Sequence, residues 1–280
     1  MSRSGGRAWW TTSTVWLVLA IVVGAGRSLA QSPAPRLLRV TARDGAIDAP
    51  DSAAAGWTRF HVTKRGDHLV VAFRLRDDVP AARVPAFLAA LDTARNTPGT
   101  ALARGGLEVQ ATGEIVLDLA PGRYVLACIR RGADGHRHVH AGEARTLTVV
   151  RRAASARRSG TAPAAATELH MLDFAYRSTE RWPAGAHWVR VTNEGREDHL
   201  VLVARLRDGA TLRDWADADD PGRVATPLTG VARMGPGTVA YLPVTMRPGR
   251  YVLYCMIPHA GSGKPHVELG MFREVVVDAP

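Results

Sequence analysis

Residues 248–255 read Pro-Gly-Arg-Tyr-Val-Leu-Tyr-Cys, and residues 121–128 read Pro-Gly-Arg-Tyr-Val-Leu-Ala-Cys. Each octapeptide joins a Pro-Gly turn to a short run of valine, leucine and tyrosine, which is typical of a β-strand entered from a tight turn. The 280-residue chain therefore contains one strand pattern twice. Such a duplication predicts an internal repeat of the whole fold.

Matches on either side of the octapeptides extend the repeat. Asp198-His199-Leu-Val-Leu-Val-Ala-Arg-Leu echoes Asp67-His68-Leu-Val-Val-Ala-Phe-Arg-Leu, at an offset close to that of the two cysteines. This pattern predicts two tandem domains, at about 36–150 and 167–280. The intervening segment, 151–166, is rich in arginine and alanine and has no apolar face to bury, so we interpret it as a linker.

The apolar runs of each repeat are short and separated by glycine and proline, which favours strands over helices. Several short strands in roughly 110 residues predict an all-β fold, an antiparallel β-sandwich. Longer inserts separate the histidine strand from the cysteine strand. We expect short helices within them, at 86–95 and 211–216.

The composition excludes several classes of protein. A hydrophobic fraction of 46% excludes a disordered chain, and two cysteines are too few for a disulfide-rich scaffold. The net charge of +10 does not predict nucleic-acid binding, because seven of these charges lie in two segments without acidic residues and arginine outnumbers lysine 34 to 2. The seven are Arg3, Arg7, Arg27, Arg151, Arg152, Arg157 and Arg158.

Residues 1–30 predict a secretory signal peptide. Two arginines precede a short apolar run at 15–23, and Ser-Leu-Ala at 28–30 offers a cleavage site with small residues. The run is shorter than the roughly 20 residues that cross a bilayer. We therefore expect an exported protein, periplasmic or extracellular, with no membrane span after cleavage of the signal peptide.

Four residues of the second repeat form a ligand set for copper. His199 opens one strand, Cys255 closes another, and His266 and Met271 follow within 16 residues. A thiolate, two imidazoles and a weak axial thioether are the donors of a type 1 copper site. The spacing therefore predicts one such copper in the second domain, suited to transfer of single electrons.

On these residues, together with Asn193-Glu-Gly195 and the 248–255 strand, the second repeat resembles the cupredoxins, the family of blue copper proteins. The resemblance implies that each repeat is a Greek-key β-sandwich with its metal near one end. Three features depart from the family pattern, and one is Leu200, which follows the first histidine where many blue copper proteins have a polar residue. The loop between Cys255 and His266 is long, and it contains His259 as a competing ligand.

The first repeat keeps three of the four donors, as His68, Cys128 and His138, and has Glu143 at the axial position. A carboxylate is a harder ligand than a thioether and favours Cu(II) or Zn(II) over Cu(I). This repeat is therefore either a second, modified metal site or a degenerate copy. His136, His138 and His140 alternate, and in a strand they would share one face.

The sequence leads us to expect that the protein is not an enzyme. In the family, copper nitrite reductases and multicopper oxidases place a histidine beside the cysteine, and neither Cys128 nor Cys255 has such a neighbour. We also find no Ser-His-Asp signature, glycine-rich phosphate loop or His-Glu-x-x-His helix.

Three alternatives to electron transfer stay open at this stage. A metal-free β-sandwich would serve as a binding or envelope protein, with both cysteines as buried core residues. A copper storage or delivery protein would hold Cu(I) and exchange it. The two cysteines could also form one disulfide. Electron transfer would require a redox partner protein, which the sequence does not identify.

Overall fold

The computed structural model of the protein describes residues 34–108, 112–151 and 160–279. The predicted signal peptide at 1–30 and half of the predicted linker, 152–159, lie outside these residues. Within them, no helix is long and apolar enough to cross a membrane.

The described part of the first repeat contains nine strands and one α-helix, with 3-10 turns at Ala81–Arg83 and His138–Ala141. In chain order the elements are β1 (Arg36–Arg43), β2 (Ala46–Asp48), β3 (Ser52–Ala54), β4 (Gly56–Arg65), β5 (Val70–Leu75), α1 (Val84–Thr93), β6 (Ala101–Leu107), β7 (Gly113–Leu119), β8 (Gly122–Cys128) and β9 (Ala144–Val150).

The second repeat has the same plan over its described residues, with 3-10 turns at Pro221–Arg223 and His266–Leu269. Its elements are β10 (Thr167–Leu172), β11 (Ala175–Ser178), β12 (Arg181–Trp182), β13 (Gly185–Asn193), β14 (His199–Leu206), α2 (Leu212–Ala216), β15 (Ala225–Met234), β16 (Val239–Met246), β17 (Gly249–Tyr254) and β18 (Phe272–Val277). The all-β prediction, with short helices in both inserts, is confirmed.

The strands form two sheets, and both sheets run through the two repeats. Their orders are β11-β10-β13-β16-β7-β4-β1-β2 and β12-β18-β17-β14-β15-β6-β5-β8-β9-β3. The repeats join where β16 pairs with β7 and where β15 pairs with β6, both antiparallel. The sequence did not predict this continuity. The domain boundaries at 36–150 and 167–280 stay a prediction.

Three apolar clusters account for the hydrophobic runs. The largest lies between the sheets and includes residues of both repeats. Two smaller clusters cover the outer side of the second sheet, one beneath α1 and one beneath α2. Strand β5 is buried on both faces, because Val70 and Ala72 point into the large cluster while Val71 and Phe73 point towards α1. The sequence of β5 is therefore a nearly continuous apolar run and does not alternate between apolar and polar residues.

The duplicated Pro-Gly-Arg-Tyr sequence builds the turn that leads into each cysteine strand. The hydroxyl of Tyr124 donates to the carbonyl of Ala120 at 3.0 Å, and that of Tyr251 donates to the carbonyl of Arg247 at 2.8 Å. Both tyrosine rings are buried. A buried tyrosine needs a partner for its hydroxyl, and here the turn supplies it.

An arginine packs over the glycine of this turn in each repeat. This contact accounts for the arginine of the duplicated Arg-Leu pair. Gly249 has a φ of +146°, and a Cβ there would lie 3.1 Å from the guanidinium of Arg205. Arg205 donates to the carbonyl of Pro248 at 3.3 Å. Gly122 and Arg74 repeat the arrangement in the first half.

A buried ion pair links the end of α1 to the second repeat. Arg233 on β15 is 6% exposed and donates to Asp198 at 3.0 Å, next to His199. Arg233 also donates to the carbonyl of Arg95, and Asp198 accepts from the backbone N–H and the hydroxyl of Thr97. The network fixes the segment after α1 against the strand that opens with His199.

We expect Arg233→Ala to lower the free energy of unfolding by about 3 kcal/mol, because the substitution leaves the carboxylate of Asp198 buried without its cation. Urea unfolding followed by circular dichroism would measure the change. Arg213→Ala is the control, since it removes an exposed i,i+4 pair with Asp217 that contributes about 0.5 kcal/mol or less. Equal losses in the two variants would contradict this role of Arg233.

Candidate metal centre

Strand pairing brings the donors of the second repeat together. Strands β14 and β17 are antiparallel neighbours, so His199 at the start of β14 lies near Cys255 just beyond the end of β17. The chain then loops out and returns, where the N–H of His266 donates to the carbonyl of Ile257 at 2.9 Å. The return places His266 beside the other two residues.

His199, Cys255 and His266 present one donor atom each to a common point, and these atoms lie within 4.8 Å of one another. The two Nδ1 atoms are 3.1 Å apart, and Cys255 Sγ is 3.6 Å from His266 Nδ1. All three side chains are fully buried. The sequence prediction had grouped these three residues, and the fold brings them together.

Carboxylates on the far side of each ring set the tautomers. Asp173 faces Nε2 of His199 at 3.0 Å, and Glu197 faces Nε2 of His266 at 3.2 Å. A carboxylate accepts a hydrogen bond from a protonated Nε2, and in a neutral ring the lone pair then lies on Nδ1. Two such lone pairs 3.1 Å apart repel unless a proton or a metal cation lies between them.

Burial keeps both imidazoles in the form that binds metals. It lowers the pKa of His199, against the opposing hydrogen bond to Asp173, and it lowers that of His266, with a further contribution from the neighbouring His199. Burial raises the pKa of the Cys255 thiol to about 11. Without a metal the sulfur is therefore protonated at neutral pH, and binding displaces its proton. The donor set of two imidazoles and one thiolate fits a type 1 copper ion.

Two further residues shape the pocket around the rings. Phe174 adopts a φ of +62° in the tight turn between β10 and β11, and its ring lies edge-on to His266 with centroids 5.1 Å apart. Gly195 is required for space, because a Cβ there would lie 2.4 Å from Asp173 Oδ1 and 2.6 Å from His199 Nε2.

Met271 lies at the predicted place in the backbone. Its N–H donates to the carbonyl of His266 at 2.9 Å, its carbonyl accepts from the N–H of Cys255 at 3.2 Å, and its side chain is fully buried. His259 sits in the loop with Nε2 3.3 Å from Glu197, the same carboxylate that holds His266. His259 therefore contacts the carboxylate behind the donors and is outside the group itself.

The first repeat assembles the corresponding group with a carboxylate included. His68, Cys128, His138 and Glu143 lie within 4.8 Å of one another by their donor atoms. Nδ1 of His138 is 3.7 Å from the sulfur and 3.4 Å from Glu143 Oε2. Nδ1 of His68 is 2.8 Å from Glu143 Oε2 and 4.0 Å from the sulfur. Burial raises the pKa of Cys128 to about 12.

Glu143 occupies the backbone position that Met271 has in the second repeat. Its carbonyl accepts from the N–H of Cys128 at 2.9 Å, and its N–H faces the carbonyl of His138 at 3.3 Å. Nε2 of His68 faces the carbonyl of Arg65 at 3.0 Å and so carries a proton. Nδ1 of His68 points at Oε2 of Glu143 at 2.8 Å, so a cation placed among the donors would contact both the imidazole and the carboxylate.

The three alternating histidines do not share one face, contrary to the expectation for a strand. They lie in a bridged turn and a 3-10 helix, His138–Ala141, where the side-chain period differs from two. His138 faces Cys128, whereas His136 and His140 stack on each other with ring centroids 4.3 Å apart and face Asp92.

Both cysteines are free and buried, so no disulfide joins Cys128 to Cys255. Sequence reasoning missed three residues that complete the second site: Asp173, Glu197 and Phe174. A duplicated signal existed for one of them, because Asp44 in the corresponding turn of the first repeat lies 3.5 Å from His68 Nε2. Asp173 and Asp44 stand at nearly the offset of the histidines, with no identical neighbours to draw attention to them.

Comparison with known proteins places copper proteins among the similar structures. No protein-family model matches the chain, and no curated protein matches it in sequence. A dithionite-reduced auracyanin from Roseiflexus castenholzii aligns over 42% of this chain and 100% of its own, with 20% identity and a TM-score of 0.29. A multicopper oxidase aligns over 86% of this chain and 88% of its own, at 13% identity and a TM-score of 0.26.

A second multicopper oxidase, from Campylobacter jejuni, covers 88% of this chain and 64% of its own, at 10% identity and a TM-score of 0.30. These matches overturn the expectation that the protein is not an enzyme. That expectation was too broad. The lack of a histidine next to either cysteine excludes one electron-transfer route between two copper ions, but it does not exclude every kind of catalytic site. At these identities and TM-scores the matches assign no activity to this chain.

We expect Gly195→Ala to weaken metal binding in the second repeat about tenfold or more, because the added Cβ displaces Asp173 from His199 and frees the ring to turn. Titration of the protein with Cu(II), followed by absorption, would measure the change. Gly99→Ala is the control, since a Cβ at Gly99 meets nothing within 4 Å. Unchanged binding in Gly195→Ala would contradict the role given to Asp173.

Proposed function

We propose that the protein is an exported, cupredoxin-like copper protein that transfers single electrons through a type 1-like copper in its second repeat. His199, Cys255 and His266 would hold the ion, with Met271 as a weak axial ligand. The observation that carries the proposal is the convergence of two Nδ1 lone pairs and one sulfur on a single buried point. Copper bound there would supply a Cu(II)/Cu(I) couple.

The chain's own residues favour rapid electron exchange at this point. Hydrogen bonds to Asp173 and Glu197 fix both imidazoles on the side away from the donors, and complete burial excludes water from the group. Ligands held in this way keep one geometry in both oxidation states, which limits the reorganisation that accompanies electron transfer.

A redox partner protein is part of the proposal. Met256 follows Cys255 directly and is 47% exposed, so apolar surface lies one residue from the sulfur. We propose that the partner contacts this side of the protein, because the exposed Met256 is the residue next to the copper-binding cysteine. Export through the 1–30 signal peptide and the division into domains at 36–150 and 167–280 belong to the same proposal.

In the first repeat we propose a second, modified site on His68, Cys128, His138 and Glu143. The anionic carboxylate faces both imidazoles, so this set favours Cu(II) or Zn(II). The proposal leaves open one copper per chain or two metal ions per chain, and the stoichiometry of binding distinguishes them.

Substitution of the thiolate ligand tests the proposal. In the wild-type protein, Cu(II) should produce an intense thiolate-to-copper absorption band, and Cys255→Ser should abolish the band of the second site. Cys128→Ser is the matched variant, because it removes only the thiolate of the first repeat. If the folded wild-type protein binds no copper, the electron-transfer proposal fails and a metal-free binding sandwich takes its place. If it binds Cu(I) that exchanges readily and shows no reversible couple, copper storage or delivery takes its place.

Substitution of the axial residue tests the role of Met271. We expect Met271→Glu, which copies the first repeat, to keep the thiolate band and to lower the reduction potential, because an anionic carboxylate stabilises Cu(II) over Cu(I). Voltammetry of the copper-loaded protein would measure the shift. Met246→Leu is the control, since Met246 is another buried methionine of the same core and is not proposed as a ligand. A potential unchanged by Met271→Glu would remove Met271 from the ligand set.

A further inference from the structure

Among the described residues, a third group of side chains with metal-ligand geometry lies on the first repeat, apart from both cysteines. Asp92 near the end of α1 and His136 and His140 around the 3-10 turn have their donor atoms within 4.8 Å of one another. His136 Nδ1 is 2.8 Å and His140 Nδ1 is 3.6 Å from the same oxygen, Asp92 Oδ2. The group therefore offers two imidazole nitrogens and one carboxylate oxygen at one point.

The carboxylate of this group is buried and held in place. Asp92 is 5% exposed, and its Oδ1 accepts from the backbone N–H of Arg137 at 2.6 Å. The guanidinium of Arg137 donates to the carbonyls of Leu91 and Ala94 at the end of α1. The hydrogen bond from His136, with that from the N–H of Arg137, holds the pKa of Asp92 below its usual value. Asp92 is therefore an anion on a rigid support.

The two histidines are open to solvent, unlike those of the cysteine sites. Their side chains are 50% and 61% exposed, and the rings stack at 18°. Because solvent reaches both rings, each imidazole can exchange a ring proton with water and present a nitrogen lone pair to a cation. An ion bound here would keep water in its remaining positions, because one side of the group faces solvent.

The repeated framework does not require these side chains. At the offset that relates His138 to His266, His136 and His140 correspond to Lys264 and Glu268. Helix α2 has five residues where α1 has ten. The second repeat therefore forms the corresponding 3-10 turn without these two histidines, so the turn itself does not require them.

We propose that Asp92, His136 and His140 form a separate binding site for a divalent transition-metal ion of the Cu(II) and Zn(II) class. Imidazole suits copper and zinc, and the carboxylate adds a hard anionic donor, whereas a set without thiolate or thioether gives no preference for Cu(I). By the usual order of affinities Cu(II) binds more tightly than Zn(II) at such a site. The site does not depend on the type 1-like copper proposed above.

Electron paramagnetic resonance of the full chain titrated with Cu(II) tests the proposal. We expect a nitrogen- and oxygen-ligated Cu(II) signal that is separate from the signal of any thiolate-ligated copper and adds nothing to the thiolate absorption band. His140→Ala and His136→Ala should each weaken binding at this signal about tenfold or more. Zn(II) calorimetry on the same proteins reports whether zinc occupies the site as well. We expect His140→Ala to disturb the fold less than His136→Ala, because the side chain of His140 is the more exposed of the two.

His170→Ala is the matched control, because His170 Nδ1 faces a carboxylate, Glu194, at 2.7 Å but has no second imidazole beside it. Its removal should leave the signal unchanged. Equal binding in wild type, His136→Ala and His140→Ala would overturn the proposed site. If wild-type protein shows the nitrogen- and oxygen-ligated signal but no thiolate band, the type 1-like copper is rejected and the site at Asp92, His136 and His140 is not. The two proposals can therefore fail separately.

Discussion

The pairing between the two repeats is the constraint on which the rest of the structure depends. Each repeat on its own would leave β6 and β7, or β15 and β16, with unpaired backbone groups along an edge. Instead Leu107 pairs with Val231 in one sheet and Leu117 pairs with Ala240 in the other. The segment after α1 of the first repeat then reaches Asp198, directly before a histidine of the second. The residues around the second site therefore come from both halves of the chain.

Within this shared framework the two cysteine sites differ in how their protons are held. In the second repeat the carboxylates of Asp173 and Glu197 stand behind the imidazoles, so the lone pairs face inward and only a proton or a cation separates them. In the first repeat Glu143 stands among the donors and adds a carboxylate oxygen that faces both imidazoles. A single exchange of methionine for glutamate thus changes both the softness and the charge of the donor set.

The sequence predicted the parts of the molecule that occur in both repeats. The cysteine strands, the histidine strands and the equivalence of Met271 and Glu143 all followed from matched positions, and the structure places them as expected. What it did not predict depends on contacts between residues far apart in the chain. Asp173 lies 26 residues before His199, in a turn whose significance appears only when β10 and β13 pair. The joined sheets were missed for the same reason, since strand order is a property of the tertiary fold.

The donor chemistry proposed for the chain separates copper by oxidation state. A buried thiolate with two imidazoles accommodates both Cu(I) and Cu(II), whereas a group of two imidazoles and a carboxylate favours the divalent ion. The same short segment connects the two kinds of group. Asp92 begins it, and five residues later Thr97 bonds to Asp198 beside His199. Because Arg137 donates to the carbonyl of Ala94 and Arg233 to that of Arg95, both arginines hold this one stretch of backbone, which connects the exposed group to the second-repeat site.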